Sequence, residues 1–199
     1  SRTLPSLVQG NLKWSMIRAG ASHTCGVTTS GVGFCWGRNE AGQLGDATTA
    51  MRTQPTIVNG GQTWTMIDTG GAFSCGITRD QLGYCWGSNT HGQIGDISIA
   101  VNSYSSVPNL VLGGDSLLSV ATGSEHVCAL SISSQVSCWG RGSEGQLGVG
   151  DYADRTGNIS LLGGMTFSAV EAGGNSTCAV NASGTSLCWG ANDSGQLGD

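Results

Sequence analysis

The sequence is poor in charge, in lysine and in long apolar runs. Only 11% of its 199 residues are charged, Lys13 is the single lysine, and the formal net charge is −5. Binding to a phosphate backbone needs clustered lysine and arginine, so the composition argues against a nucleic-acid partner. No apolar run approaches the roughly 20 residues that span a bilayer, and we therefore expect no membrane insertion.

Glycine is abundant where proline is scarce. The chain has 34 glycines and three prolines, a balance that favours short strands joined by tight turns. A helical solenoid is the competing architecture, but no segment shows the sustained 3.6-residue periodicity of an amphipathic helix. The composition therefore predicts an all-β protein.

One stretch of about a dozen residues occurs four times. The copies read "CWGRNEAGQLGD", "CWGSNTHGQIGD", "CWGRGSEGQLGVGD" and "CWGANDSGQLGD". The first cysteine of each unit recurs at spacings of 50, 53 and 50 residues, and self-similarity at such a period indicates a repeat architecture. The predicted repeats are residues 1–50, 51–100, 101–151 and 152–199. The additional residues of the third repeat fall near "SIAVNSYSSVP", which we expect to be a surface loop.

Each repeat is predicted to contain four short strands. Two apolar runs, such as "PTIVNG" and "WTMIDTG", precede a hairpin whose arms in the first repeat are "HTCGVT" and "GFCWG". Four strands in about 50 residues are typical of one β-propeller blade. We therefore predict one continuous domain of four four-stranded blades, as part of a larger ring or as an open or oligomeric array.

These repeats resemble those of the regulator of chromosome condensation family. The family pattern runs from an Ala-Gly or Gly-Gly turn through His-Thr to Trp-Gly, Asn and Gly-Gln-Leu-Gly. The first repeat matches it with "AGASHTCGVTTSGVGFCWGRNEAGQLGD", and comparable strings occur in all four. The resemblance implies a propeller that usually closes with seven blades, of which four would form a little over half. Founding nuclear members exchange nucleotide on a small GTPase and bind chromatin, but the basic tail of those members is missing here.

The recurring residues have a packing interpretation. Glycines after the tryptophan and around Gln-Leu permit turns that other residues resist. We expect large rings and aliphatic side chains to fill the space between blades. These are Trp36, Trp86, Trp139 and Trp189, with Leu44, Ile94, Leu147 and Leu197. The alternative is that the tryptophans form a ladder on which a ligand stacks.

Eight cysteines form four pairs with nine residues between the partners. Each pair lies on the two arms of one predicted hairpin, where opposed side chains are about 4.5 to 5.5 Å apart and within disulfide reach. The predicted bridges are Cys25–Cys35, Cys75–Cys85, Cys128–Cys138 and Cys178–Cys188. Metal binding is the alternative, but zinc sites favour pairs two to four residues apart. Disulfides predict an extracellular location, secreted or at the cell surface.

Four Asn-X-Ser/Thr sequons agree with a secretory route. They begin at Asn158, Asn175, Asn181 and Asn192, and each is a predicted glycosylation site. All four lie in the last two repeats.

The sequence contains no recognisable catalytic motif. His23 and His126 occupy the same phase of two repeats, which favours buried or turn-stabilising side chains over general bases. Aspartates after the Gly-Gln-Leu-Gly turn are expected to cap turns, with calcium binding as the alternative. They are Asp46, Asp96, Asp151 and Asp199. We predict a protein that is not an enzyme, with no cofactor and no metal site.

Two main functions remain, and a third is least favoured. The first is a non-enzymatic extracellular structural or adhesive module that self-associates, or joins other propeller repeats in a larger assembly such as a filament. The second is a receptor-like or inhibitor-like ectodomain that binds an extracellular protein or ligand through variable tip loops. Its contact residues would be Arg38, Asn39, Glu40, Asn89, His91, Arg141 and Glu144. The third is a guanine nucleotide exchange factor.

Overall fold

In the residues that the structure describes, all regular structure is β-strand. The computed structural model describes residues 3–113, 116–161 and 164–199, and fifteen strands in these ranges form four antiparallel sheets. Within the same ranges, no helix is long and apolar enough to cross a membrane. The prediction of an all-β propeller is confirmed, and three of the four described sheets have the predicted four strands.

The sheets follow one another along the chain, and we call them blades 1 to 4. Blade 1 contains β1 (Trp14–Ala19), β2 (His23–Thr28), β3 (Gly33–Gly37) and β4 (Arg52–Ile57). Blade 2 contains β5 (Trp64–Thr69), β6 (Phe73–Thr78), β7 (Gly83–Asn89) and β8 (Ser103–Leu110). Blade 3 contains β9 (Leu117–Thr122), β10 (His126–Ser131), β11 (Val136–Gly140) and β12 (Arg155–Ser160). Blade 4 contains three strands, β13 (Phe167–Gly173), β14 (Ser176–Asn181) and β15 (Ser186–Gly190).

The blades are offset from the sequence repeats by one strand. β4 begins at Arg52, inside the second repeat, but pairs with β3 of blade 1 and places Ile57 opposite Phe34. β8 and β12 complete blades 2 and 3 in the same way. The apolar run expected to open a repeat is therefore the outer strand of the preceding blade, so each of these three sheets ties two repeats together.

The additional residues of the third repeat are taken up partly by a strand. Residues 97–102 lie outside the sheets, as expected for a surface loop, but β8 occupies the remainder of that segment. β8 has eight residues, whereas β4 and β12 have six. The prediction of a loop is therefore correct only for the first part of the segment.

A tight turn joins the two strands of the central hairpin in every blade. In blade 1 the Gly31 amide donates to the Thr28 carbonyl at 2.9 Å, and Gly31 has a φ of 85°. The equivalent residues Gln81, Ser134 and Gly184 also have positive φ, between 62° and 84°. This turn fixes the register that places Cys25 directly opposite Cys35 in β2 and β3.

The core lies between neighbouring blades. One buried cluster combines Cys25 and Leu44 of blade 1 with Trp64 and Trp86 of blade 2, and a similar cluster joins blades 2 and 3. Strand β5 packs against β2, β9 against β6, and β13 against β10. Each blade is too thin to bury both of its faces alone, so stability depends on the blade beside it.

Candidate association faces

A buried asparagine holds the turn that precedes each of the first two junctions, whereas blade 3 has a glycine at the equivalent position. Asn39 Oδ1 accepts the Leu44 amide at 3.0 Å, and Asn39 Nδ2 donates to the Thr48 carbonyl at 3.0 Å. Asn89 accepts the Ile94 amide at 3.1 Å in the same manner. Both asparagines are almost fully buried. The prediction that Asn39 and Asn89 belong to an exposed contact surface is wrong, because their side chains are used inside the protein.

Each turn receives a tryptophan from the following blade. The indole Nε1–H of that tryptophan donates to the carbonyl oxygen of the turn glutamine. The pairs are Trp86 with Gln43 at 3.0 Å, Trp139 with Gln93 at 3.0 Å, and Trp189 with Gln146 at 2.9 Å. Since a buried indole N–H needs an acceptor, this bond fixes the distance between two blades. The packing interpretation of these tryptophans therefore holds.

The second glycine of the turn is required by the same contact. A Cβ at Gly45 would lie 2.7 Å from Trp86 Nε1, and one at Gly95 would lie 2.8 Å from Trp139 Nε1. Gly45 and Gly95 also have φ near +70°, in the left-handed region. Each joint is therefore built from two of the repeated strings. One string supplies the turn, and the string of the next blade supplies the tryptophan.

A backbone hydrogen bond adds a second contact to every joint. The hairpin turn of one blade offers a carbonyl to the first amide of the next blade. The bonds are Trp64 N to Gly31 O at 2.8 Å, Leu117 N to Gln81 O at 2.9 Å, and Phe167 N to Ser134 O at 2.8 Å. The three internal joints thus repeat the same indole and backbone bonds.

A buried histidine adds a polar contact to the joint between blades 1 and 2. The Ser74 hydroxyl donates to the Gln43 carbonyl at 2.9 Å, and His23 Nε2 lies 2.8 Å from the same hydroxyl oxygen. His23 Nε2 is therefore the donor, which leaves Nδ1 unprotonated and, among the described atoms, without a hydrogen-bond partner. Burial lowers the pKa of His23 to about 4.

At the other two joints, the residues on the two sides of this contact also match each other in polarity. His126 Nε2 lies 2.8 Å from Thr177 Oγ1 between blades 3 and 4, and burial lowers the pKa of His126 to about 4. In blade 2 the equivalent position is Phe73, which shares an apolar cluster with Val127. Histidine thus meets a hydroxyl and phenylalanine meets an aliphatic residue. The prediction that these histidines are buried is confirmed.

Each predicted cysteine pair is bridged across the central hairpin of its blade. The Cα atoms of each pair are 4.1 to 4.2 Å apart. The bridges point toward the next blade, where Cys25 Sγ lies 3.7 Å from Ser74 Oγ. The first three bridges are at most 1% exposed, whereas Cys178 and Cys188 are partly exposed.

The two ends of the array expose unpaired halves of this joint. We call the exposed side of blade 1 the head face and that of blade 4 the tail face. The head face presents Trp14, Thr24 and Trp36, and Arg18 lies at its edge, where it also contacts Asp68 of blade 2. The tail face presents Glu171, Gly184, Gln196 and Gly198. Trp36 is partly exposed, whereas Trp86 and Trp139 are 0% exposed.

The tail face is as open as the head face. Among the described residues, no heavy atom lies within 4 Å of the position that a Cβ would take at Gly198 or Gly184. The equivalent position at Gly45 is in contact with the next tryptophan. Leu197, expected to fill the space between blades, is only partly buried, whereas Leu44 is 0% exposed.

Charged residues occupy one equivalent position in three of the four innermost strands, and β9 has an alanine there. Arg18 Nε in β1 lies 3.7 Å from Asp68 Oδ1 in β5, and Asp68 Oδ2 accepts the Thr122 amide at 2.8 Å. Glu171 takes this position in β13 and is exposed. Sequence reasoning missed Arg18 and Glu171, although the aligned strings "IRAG", "IDTG" and "VEAG" carry the signal.

The tip loops form a separate charged surface in which most charges are already paired. Arg38 binds Glu40 within one loop. His91 Nδ1 lies 2.7 Å from Asp154 Oδ2, which links the loops of blades 2 and 3. Arg141 binds Glu125 at 2.8 Å and approaches Glu144 at 4.0 Å. Five of the seven predicted contact residues are therefore at least partly accessible: Arg38, Glu40, His91, Arg141 and Glu144.

The aspartates that follow the turns accept hydrogen bonds from the protein itself. Asp46 Oδ1 accepts from the Thr48 hydroxyl at 2.7 Å, and Asp46 Oδ2 accepts from Arg52 Nε at 2.7 Å. Asp96 accepts the Ser98 amide at 2.9 Å, and Asp151 accepts the Ala153 amide at 3.0 Å. Asp199 accepts from Asn192 Nδ2 at 2.9 Å. These contacts agree with the turn-capping prediction.

The sequon asparagines lie at or near the surface. Asn192 is exposed, and Asn158, Asn175 and Asn181 are partly exposed. Asn181 Oδ1 accepts the Ser183 and Thr185 amides at 3.0 and 2.9 Å. Its side chain is therefore engaged in the hairpin turn, and glycosylation at all four sites stays a prediction.

Comparisons with known proteins agree with the repeat and the fold. Two models described as the regulator of chromosome condensation (RCC1) repeat match residues 30–77 and 84–130, and residues 118–146 and 167–196. The Arabidopsis thaliana ultraviolet-B receptor UVR8 is 30% identical over 141 residues, which are 70% of this chain and 32% of UVR8.

Two solved structures show the same arrangement of sheets. Prp20p of Saccharomyces cerevisiae, described with its binding to Gsp1p and histones, superposes with a TM-score of 0.85 at 21% identity. That match covers 98% of this chain and 49% of Prp20p. The ectodomain of the Arabidopsis thaliana receptor kinase ACR4 gives a TM-score of 0.62 at 23% identity, over 92% of this chain and 57% of the other.

The chain thus spans about a third of UVR8 and about half of Prp20p. Its matched repeats, its sheets and its interblade tryptophan joints all agree with one assignment. This protein belongs to the regulator of chromosome condensation (RCC1) repeat family.

Proposed function

We propose that this protein is a non-enzymatic extracellular structural module that works by association through the ends of its blade array. The observation that carries the proposal is the exposure of both halves of the blade joint, on the head face and on the tail face. Repeat arrays normally cover such surfaces with polar caps. Trp36 and Leu197 are partly exposed at the two ends of the described array, which favours contact with further blades, whether of the same chain or of another copy.

The disulfides support the extracellular part of the proposal. Four bridges close short loops, one in the central hairpin of each blade. Such bridges persist in oxidising compartments and are rare in the cytosol. The four sequons are consistent with the same route. A secreted or surface assembly, such as a filament, is the setting that these features favour.

A receptor-like ectodomain that binds a separate protein is the second candidate. Two observations favour it: the fold is shared with the ACR4 ectodomain, and a charged patch lies on the tip loops of blades 2 and 3. Replacing His91 and Arg141 with alanine would then abolish binding to that protein without loss of the fold. If this reading is correct, purified chains would stay monomeric.

Nucleotide exchange is the least supported function. Prp20p is described as binding Gsp1p, but its likeness at 21% identity extends to the fold alone. The chain described here is held by four disulfides, which a nuclear protein in a reducing compartment would not keep. We therefore do not assign exchange activity.

The test is the mass of the secreted, oxidised 199-residue chain in solution. Sedimentation equilibrium over a hundredfold range of concentration should give a mass above that of one chain, which is 20.2 kDa of polypeptide plus any attached glycan, and the mass should fall on dilution. A constant mass equal to that of one chain across that range would overturn the proposal.

A further inference from the structure

We infer that the partner of each end face is the opposite end face of a second copy of this chain, joined head to tail in the register of the internal blade joints. This inference rests on the proposed function and names its contact. Both faces belong to one molecule, and they are the two halves that blades 1 to 4 bring together three times within the chain.

The internal joints specify the hydrogen bonds of this contact. Each pairs an indole N–H with a turn glutamine carbonyl, and a first-strand amide with a hairpin-turn carbonyl. Advancing the pattern by one blade pairs the Gln196 carbonyl of one copy with Trp36 Nε1 of the next. It also pairs the Trp14 amide with the Gly184 carbonyl.

A glycine on the tail face leaves room for the tryptophan of a second copy. Gly198 has a φ of 81°, and a Cβ there meets no described atom within 4 Å. Its counterparts Gly45, Gly95 and Gly148 all lie against the next tryptophan, with a Cβ 2.7 to 2.8 Å from the indole nitrogen. Thr24 fits the same pattern, because it is partly exposed where Ser74 and Thr177 are buried.

The charges of the two faces are complementary. Inside the chain, Arg18 of β1 and Asp68 of β5 occupy equivalent positions and lie 3.7 Å apart. In the head-to-tail contact Glu171 of one copy takes the place beside Arg18 of the next, opposite Asp68. Exposed ion pairs contribute little energy, but opposed like charges select against the wrong orientation. The pair therefore fixes the direction in which copies join.

A head-to-tail contact has a defined consequence for the assembly. Such an interface is heterologous, so it closes into a ring where the rotation per copy permits and otherwise continues as a filament. Both outcomes use the same two faces, so both are compatible with the inference.

The first test fills the space at the tail face. Gly198→Asn tolerates a positive φ, because asparagine enters the left-handed region more readily than most residues, but it places a side chain where Trp36 of the second copy must pack. Gly61→Asp is the control, because Gly61 has a φ of 69° and equally open surroundings in the loop between β4 and β5. Aspartate also tolerates a positive φ, and it avoids the Asn-X-Thr sequon that asparagine would create there. We expect Gly198→Asn to weaken association by about tenfold or more and Gly61→Asp to leave it unchanged.

The second test reverses the charges and does not depend on the glycine turn. Glu171→Arg should weaken association by about tenfold at low salt, and Glu171→Arg with Arg18→Glu should recover most of the loss. Arg79→Glu, at an exposed site on the turn between β6 and β7, changes the charge as much as Arg18→Glu and should have no effect.

The outcomes separate the inference from the function on which it rests. Association that persists equally in wild type, Gly198→Asn and Glu171→Arg would overturn the head-to-tail contact while leaving self-association intact. A wild-type chain that stays monomeric would overturn both. Association that is lost in the two tail-face variants and retained in the controls supports the contact.

Discussion

Acidification from pH 7 to pH 5 should destabilise the folded protein because two histidine side chains are buried in it. Burial lowers the pKa of both His23 and His126 from 6.5 to about 4. The unfolded chain therefore binds protons at these rings at a higher pH than the folded chain does. The stability that the neutral rings contribute is complete above about pH 6.5, and it is lost as the pH falls toward 4.

The magnitude follows from the two pKa values. Between pH 7 and pH 5 the ring becomes mostly charged in the unfolded chain and stays neutral in the folded one, which lowers the free energy of unfolding by about 2 kcal/mol for each histidine. Two rings give about 4 kcal/mol. Exposed carboxylates stay mostly ionised above pH 5, so the histidines dominate this interval.

The joint between blades 2 and 3 supplies a substitution that removes one of the two titrating histidines. His23→Phe with Ser74→Val places the pair formed by Phe73 and Val127 into the joint between blades 1 and 2. Urea unfolding with disulfides intact should show the loss between pH 7 and pH 5 reduced by about half, to about 2 kcal/mol. Ser74→Val alone is the control, because it keeps the titrating ring.

An unchanged difference between pH 7 and pH 5 in the double variant would refute the reasoning. It would mean that His23 either stays neutral in the unfolded chain, which its ordinary pKa of 6.5 forbids, or is protonated in the folded one. The second case would require an acceptor for Nδ1, which among the described atoms has none.

Three further predictions concern the joints and the bridges. Gly95→Ala forces a Cβ against Trp139 at a φ of 74° and should lower the free energy of unfolding by about 1 to 3 kcal/mol in urea; a loss under about 0.5 kcal/mol would contradict the close contact. Asn39→Ala should cost about 2 to 4 kcal/mol, because it leaves buried backbone groups unpaired, whereas Arg38→Ala should change stability by less than about 0.5 kcal/mol. In native protein treated with a small thiol, the partly exposed Cys178–Cys188 bridge should be reduced first, as followed by alkylation and mass spectrometry; equal rates for all four bridges would count against it.

The strands and their hairpins were predictable because the repeat supplies four parallel observations. The cysteine pairs fix the register of each central hairpin, and residues such as Gly31 and Gly184 mark the position of its turn. The sequence also indicates that Leu44 and Trp86 fill the space between blades. Local pattern is sufficient for such features, since both partners of the hairpin lie within about ten residues.

The membership of the outer strands was not predictable from local pattern. A short strand such as "RTQPTI" is equally suitable for the start of one sheet or the edge of the previous one. The choice depends on pairing between β3 and β4, which are separated by the whole tip loop. Position in the repeat therefore locates a strand without telling which sheet it joins.

The candidate site was predicted at the wrong place for two residues and missed for others. Asn39 and Asn89 lie in variable-looking tips, but their amides satisfy backbone groups of the turn. Arg18 and Glu171 lie in strands that read as structural, and their role depends on which neighbour faces them. The sequence shows the position of a residue within its repeat, whereas the exposure of that residue depends on whether another blade packs against it.

The most direct measurement is amide hydrogen exchange of the 199-residue chain at a high and a low concentration. If copies join head to tail, protection at high concentration should increase in residues 11–20 of the head face and in residues 184–198 of the tail face. Exchange in the three internal joints, which are already formed within the chain, should not change. Equal exchange at both concentrations, or protection confined to the tip loops, would contradict the claim that the repeated motif is a joint with unpaired ends.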